Sequence, residues 1–307
     1  MRNTLLIQNG KSWTTFRIIN RKCTGLWGTR RRNLPQRWLL AKSRPHVRFS
    51  QPGLSTSHSH GKRQMCNLYN ITTNQEAIRA FANAARDIIG NMEPSLDVYP
   101  DRMAPIVRNA PDGARELAPV RWGMPSSSQA LYEAATKRAD KLRAKGKDVD
   151  FDALLKHEPD GGTTNVRNTA SRHWTRWLGV ENRCVVPLTR FAEPNPAGKV
   201  EGERTPNAWF AGDASEPLMF FAGIWVKDWT SVRKVKEGLI TADYYAFLTC
   251  SPNAVVAPIH PKAMPVILTT SDEVEAWLTL PWAEAKALQR PLQEERLVVL
   301  TEALVSG

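Results

Sequence analysis

The sequence predicts an α+β protein: one strand-rich domain over residues 65–307, preceded by a basic extension over residues 1–64. Three observations carry this. Charge is segregated, since residues 1–64 hold 14 Lys and Arg and no Asp or Glu, whereas residues 65–307 hold 28 basic and 30 acidic residues, net −2. Apolar runs of strand length dominate from Arg183 onward, the longest being Leu218-Met219-Phe220-Phe221-Ala222-Gly223-Ile224-Trp225-Val226. Helical periodicity is confined to a few segments around them. With 42% hydrophobic residues the chain has ample material for one sizeable core.

Taken in order, the extension contains Arg30-Arg31-Arg32 and Ser55-Thr56-Ser57-His58-Ser59-His60 and shows no apolar period. It reads as a disordered basic arm, as an organelle-targeting presequence of the Arg-rich, acid-poor type, or as upstream sequence ahead of a true start at Met65. The abrupt onset of globular patterning at Met65 favours the last. Residues 66–71 read as a short strand. Thr73 or Asn74 caps a helix expected to run to Ile89, with Ala77, Ile78, Phe81, Ala85, Ile88 and Ile89 on one stripe. Residues 94–125 read as turn-rich because of their prolines, and 131–160 as a solvated, charged helix and loop. Strands are expected at 183–188, 207–211, 218–226, 244–250, 264–268 and 297–300. Thr270 and Glu273 form a capping box that opens a helix carrying Val274, Trp277 and Leu278.

Composition also excludes function classes. No run approaches the roughly 18 apolar residues of a membrane-spanning helix. The four cysteines, Cys23, Cys66, Cys184 and Cys250, are far apart and form no C-x-x-C pair, which argues against structural zinc and a disulfide scaffold and points to a reducing cytosol. The pI of 9.8 comes from the extension, so a nucleic-acid surface on the domain must be a local patch.

The chemistry begins at Met65-Cys66. Cysteine is small enough for an initiator Met before it to be removed, leaving a free α-amine and a thiol on one residue. Their ordinary pKa values, about 7.7–8.0 and about 8.5, make both partly nucleophilic at neutral pH. Such a 1,2-aminothiol closes on an aldehyde as a thiazolidine. Cys184 and Cys250 sit within apolar strands and read as inert core residues.

Three later segments stand at ordered spacings behind Cys66: Asn165-Val166-Arg167 after the Gly161-Gly162 turn, Arg183-Cys184-Val185-Val186-Pro187 leading to Phe191-Ala192-Glu193, and Ala257-Pro258-Ile259-His260-Pro261 leading to Met264-Pro265. With Met65-Cys66 and Arg121-Trp122-Gly123 they make residues 65–300 resemble the SOS response-associated peptidase (SRAP) family, whose members shield abasic sites in DNA. The resemblance implies a single domain with a barrel-like core and peripheral helices. It implies that Cys66 is the catalytic cysteine and that Asn165 holds its amine and the reacting sugar. It implies that Glu193 shuttles protons during imine formation and that His260 assists opening of the deoxyribose ring. Arg167 and Arg121 are implied to bind DNA phosphate, and Trp122 to line the DNA path. The implied partner is single-stranded DNA with abasic sites, bound by a cytoplasmic, nucleoid-associated monomer that needs no cofactor, metal or membrane; organelle targeting by residues 1–64 stays an alternative. The chain departs from the family pattern at Asn67-Leu68, where Gly-Arg is usual, and at Ala192 and Pro194 beside Glu193.

Two other functions fit the same residues. A thiol peptidase would pair Cys66 with His260 to attack an amide, including the bond between Met65 and Cys66. A non-covalent single-strand-binding module would leave the cysteine idle.

Overall fold

The computed structural model describes residues 68–93 and 96–300, together with strands β1 (Leu6–Asn9) and β2 (Ser12–Thr15) of the extension, which pair antiparallel. The rest of the extension, and with it the expectation of disorder, lies outside the described residues. The chain divides between His58 and Ser59 into two units.

The second unit is built on a closed barrel. Its staves are β6 (Met103–Asn109), β7 (Arg115–Trp122), β9 (Arg183–Leu188), β12 (Met219–Val232) and β13 (Leu239–Cys250). Antiparallel ladders join β7 to β6, β6 to β9, β9 to β12 and β12 to β13. A parallel contact of Tyr244 and Tyr245 with Arg121 and Trp122 closes the ring. Closure leaves these five strands without a free lateral edge. The strand-rich, barrel-like α+β core expected from the sequence is therefore the observed one.

Shorter strands extend the barrel. β3 (Leu68–Ile71) and β5 (Leu96–Val98) join β10 (Arg190–Pro194), β11 (Asn207–Ala211) and β16 (Val298–Leu300) in a second sheet, ordered β16-β11-β10-β3-β5. β4 (Arg86–Asp87) runs parallel to β7, β8 (Asn165–Val166) runs parallel to β13, β14 (Met264–Pro265) pairs with β13, and β15 (Ile267–Leu268) pairs with β12. The core is aromatic. Tyr69 meets Trp122, Phe221 and Phe247 edge-on, at 5.3, 5.6 and 6.3 Å between centroids, and its hydroxyl is hydrogen-bonded to that of Tyr245.

The helices lie outside. α1 (Gln75–Phe81) starts at Asn74, whose side chain accepts from the Ala77 amide. It ends eight residues before the expected Ile89, because Asn83 adopts a left-handed backbone (φ 52°) and the chain then joins β7 as β4. α2 (Ser128–Arg143) and α3 (Phe151–Lys156) form the charged segment, and α4 (Arg172–Thr175) is one short turn. α5 (Ser271–Thr279) begins at Thr270, which accepts from the Glu273 amide as the capping box predicts. Its Trp277 is buried on the barrel and donates to the carbonyls of Cys184 and Gly223. α6 (Trp282–Ala285) follows. No described helix is long and apolar enough to cross a membrane.

The segment expected to be turn-rich, 94–125, instead supplies β6 and β7. Its prolines misled the reading because proline ordinarily breaks a ladder. Pro105 stands directly opposite Pro119, and neither falls within the registers that join β6 to β9 or β7 to β13. The missing N–H groups lie where the barrel has least pairing to lose.

Arg233, nearly buried, locks the barrel to the Gly161-Gly162 turn. It donates to the carbonyls of Gly123 and Gly161 and lies over the Tyr244 ring at 4.9 Å. Gly162 has φ 75°, and a Cβ there would stand 2.5 Å from the guanidinium nitrogens. Gly162→Ala is therefore expected to lower stability by about 1–3 kcal/mol, read from the urea midpoint; an unchanged midpoint would show that the slot is not needed.

Candidate functional site

The described chain starts at Leu68 in β3, which lies between β10 and β5. Ala192 stands opposite Leu68 and Phe191 opposite Tyr69. Glu193 follows at the end of this register, 1% exposed, opposite Ala208 of β11. Phe191 anchors the strand from within, stacked on Phe210 at 5.0 Å. Cys66 lies outside the described residues, two positions before Leu68.

Asn165 is buried on β8, held beside Phe247 of β13, and its Nδ2 donates to Thr164 Oγ1 at 2.9 Å. The Thr164 carbonyl accepts from Trp122 Nε1 at 3.1 Å. Trp122 in turn packs on Tyr69, the neighbour of Leu68. A short relay of contacts thus connects the Asn165 strand to the start of β3.

Two residues on, Arg167 reaches the segment that carries His260. Its Nη1 donates to the carbonyls of Cys250 (2.8 Å) and Lys262 (2.7 Å), and its Nη2 to Ser251 Oγ (3.1 Å). His260 is half-buried, and its Nδ1 contacts the Ala263 carbonyl at 2.7 Å. A carbonyl only accepts, so Nδ1 carries the proton and, in the neutral ring, Nε2 keeps the lone pair. Asn165 and His260 are thus carried on neighbouring segments through Arg167, while Glu193 stands beside the start of β3.

Arg121 and Trp122 are placed differently from the sequence reading. Trp122 is fully buried, and an indole with no exposed surface cannot stack on a base. Arg121 donates to Asp101 Oδ2 at 2.8 Å and to Glu237 at 3.3 Å, so its charge is largely taken up by carboxylates. Asp101 also binds Arg233 at 3.0 Å and Lys234 at 2.9 Å. Burial alone would raise the Asp101 carboxyl, but hydrogen bonds from Arg121, Lys234 and Arg233 outweigh it and hold the group well below the usual carboxylate range. Asp101 and Arg233 were missed in the sequence. Nothing in their neighbours sets either apart, because what matters is the pair of glycines that only the fold brings to Arg233.

Cys184 and Cys250 are free and buried. Burial pushes both thiols up, Cys250 to about 12 despite the charges of Arg167 and Arg290. Neither is a thiolate nucleophile at neutral pH. Among the described residues no group of three or more His, Cys, Asp or Glu stands together as a metal site.

Comparison with known proteins agrees with the fold. The sequence model of the family described as SOS response associated peptidase (SRAP) matches residues 65–301. A crystal structure of a Bordetella bronchiseptica protein is similar at 23% identity and TM-score 0.50, covering 77% of this chain and all of its own. A Bacteroides thetaiotaomicron protein is similar at 19% identity and TM-score 0.51, covering 79% of this chain and 95% of its own. A phage-related protein of Bordetella bronchiseptica is similar at 18% identity and TM-score 0.50, with 76% and 93% covered. No curated protein matches the chain.

Trp122→Ala is expected to cost about 3–5 kcal/mol of stability, as for other buried aromatic deletions, measured by urea unfolding; a loss near zero would return the indole to the surface. The depressed Asp101 carboxyl has a pH signature. Its contribution is present above the unfolded carboxylate pKa of about 3.9 and fades as pH falls below it toward the folded value. The stability gap between the native protein and Asp101→Asn is expected to narrow as unfolding is repeated from neutral pH down to acid. A gap that stays constant would remove the Asp101 cluster from the account.

Proposed function

Because the chain belongs to the SOS response associated peptidase (SRAP) family, we propose that it captures abasic sites in single-stranded DNA covalently, through the amine and thiol of Cys66. Family membership supports a DNA-damage-associated, peptidase-like function; the proposal specifies the reaction. The observation that carries it is the register of β3 against β10. Two residues of chain span at most about 7 Å, so Cys66 is tethered within that reach of Leu68, beside the buried carboxyl of Glu193.

The chemistry follows from the groups in that neighbourhood. The abasic deoxyribose exists mostly as a ring, and opening it exposes an aldehyde. The lone pair on His260 Nε2 is suited to take the proton of the ring hydroxyl. The Cys66 amine then adds to the aldehyde carbon to form a carbinolamine. Glu193 as an acid protonates the departing hydroxyl, which leaves as water, and an imine results. The thiol adds to the imine carbon, its proton passes to the nitrogen, and a thiazolidine closes. One water is lost overall and no oxidant is needed. General acid–base groups of this kind contribute ~10²–10⁴-fold each. Asn165, buried one residue from the Trp122 relay, is suited to hold amine and sugar by its amide. Arg167 spends three donor contacts on the 250–262 backbone and side chains, so its main work in this scheme is to hold His260 in place.

The reaction requires a free amine on Cys66. If translation starts at Met1, the bond between Met65 and Cys66 must be cut first. Self-cleavage at that bond is the form of peptidase activity we favour.

The test is a denaturing gel. The protein beginning at Cys66, mixed with single-stranded DNA carrying one abasic site, is expected to give a shifted band that the undamaged strand does not give. Cys66→Ala is expected to abolish the band, and Glu193→Gln to slow its appearance by roughly 10²-fold or more. A Cys66→Ala protein that crosslinks as well as the native one would end the proposal.

A further inference from the structure

The domain carries a net charge of −2, and ten arginines of the described residues are held by carboxylates. A DNA-binding surface therefore has to come from guanidinium groups that remain unpaired by acids. Residues 161–180 contain no Asp or Glu at all. Within them, Arg172 and Arg176 are exposed on and just after α4, and among the described residues no carboxylate pairs with either.

Arg176 is also oriented. Its guanidinium lies over the Trp177 ring at 3.9 Å, and its Nη2 stands 3.4 Å from His173 Nδ1. His173 donates from Nε2 to the Pro125 carbonyl at 2.9 Å, which leaves Nδ1 as the acceptor. Burial pushes the His173 ring below its ordinary value, favouring this neutral form. Trp177 is 5% exposed and packs edge-on against the half-buried Trp229 at 6.0 Å, while Trp174 remains half-buried beside His173. One face of the guanidinium is thus covered by an indole and held by an imidazole. Guanidinium planes and indoles are the surfaces on which single-stranded bases stack.

The patch is connected to the site. Pro125 follows Met124, which bridges Thr163 through both backbone hydrogen bonds, two residues before Asn165. Trp229 stands opposite Ala242 on β13, and Asn165 stands beside Phe247 on the same strand. At ~3.4 Å per residue these five steps are roughly 17 Å. That is about five nucleotides at the ~3.4 Å stacked spacing, or fewer if extended.

We propose that Trp174, Arg176 and Arg172 form a platform for undamaged single-stranded DNA flanking the captured abasic site, with a base stacked on the Arg176 guanidinium and phosphate beside Arg172. This rests on the reading of the site given above, but it makes a claim of its own: the platform binds intact strand without any covalent step.

The experiment measures binding of a labelled, undamaged oligothymidylate by fluorescence anisotropy over a salt series. Arg176→Met keeps an apolar cover on Trp177 but removes the charge and the plane. It is expected to melt with the native protein and to bind roughly ten-fold more weakly. With Arg172→Ala added, the slope of log affinity against log salt is expected to fall by about 1.4, or ~0.7 per lost phosphate contact on a single strand. Arg143→Met, on the ion-paired surface of α2, is expected to bind like the native protein. Native affinity and slope in the double variant, with its fold intact, would overturn the platform. Abasic capture is scored separately on a gel. Patch-dependent binding without capture would sink the proposed reaction and leave the platform standing, whereas capture with patch-independent binding would do the reverse.

Discussion

Closure of the barrel depends on one short parallel contact, Tyr244 and Tyr245 against Arg121 and Trp122. The other four junctions are antiparallel ladders of the kind that adjacent β-segments make readily. The parallel one is different, because it joins strands separated by α2, α3 and the Gly161-Gly162 turn. Two devices hold it. Inside, Trp122 stacks on Tyr245 at 6.3 Å and meets Tyr69 and Phe247, so the closing strands share an aromatic layer. Outside, Arg233 lies on Tyr244 and ties Gly123 to Gly161, with Asp101 neutralising the cluster of cations. β8 then continues alongside β13 just beyond the same contact, which is why Asn165 is where it is.

The barrel strands from Arg183 onward were legible because each is a run of apolar residues bounded by turn residues. β12 runs six residues past the expected Val226, through an irregularity between Val226 and Trp229, because its outer half is polar and projects from the core. α5 was legible in Thr270 and Glu273. β6 and β7 were not, since Pro105 and Pro119 look like breaks unless their mutual register is known. The short reach of α1 was not legible either. Its apolar stripe continues through Ala85, Ile88 and Ile89, and only the pairing of Arg86–Asp87 with β7 decides against the helix.

The candidate site was partly legible for the same reason. Asn165, Glu193 and His260 belong to local motifs, and the structure sets them on β8, at the end of β10 and in the segment after β13. Trp122 and Arg121 also stand in a motif, but the motif serves closure of the barrel. A buried tryptophan and an exposed one look alike in a sequence. Arg233, Asp101 and Arg176 belong to no motif, because their partners are a glycine turn, a cation cluster and a tryptophan face assembled by the fold.

The position of β3 has a consequence for the order of events in the life of the chain. It is the first strand of the domain to be synthesised, yet its partner β10 lies about 120 residues downstream. Pairings of such sequence separation form late, after the intervening loop has been closed by other contacts. The segment that bears residue 66 is therefore fixed in place only once β9, β10 and the sheet around them exist. A reactive terminus mounted there is withheld from a half-made protein and appears together with the finished pocket that directs it.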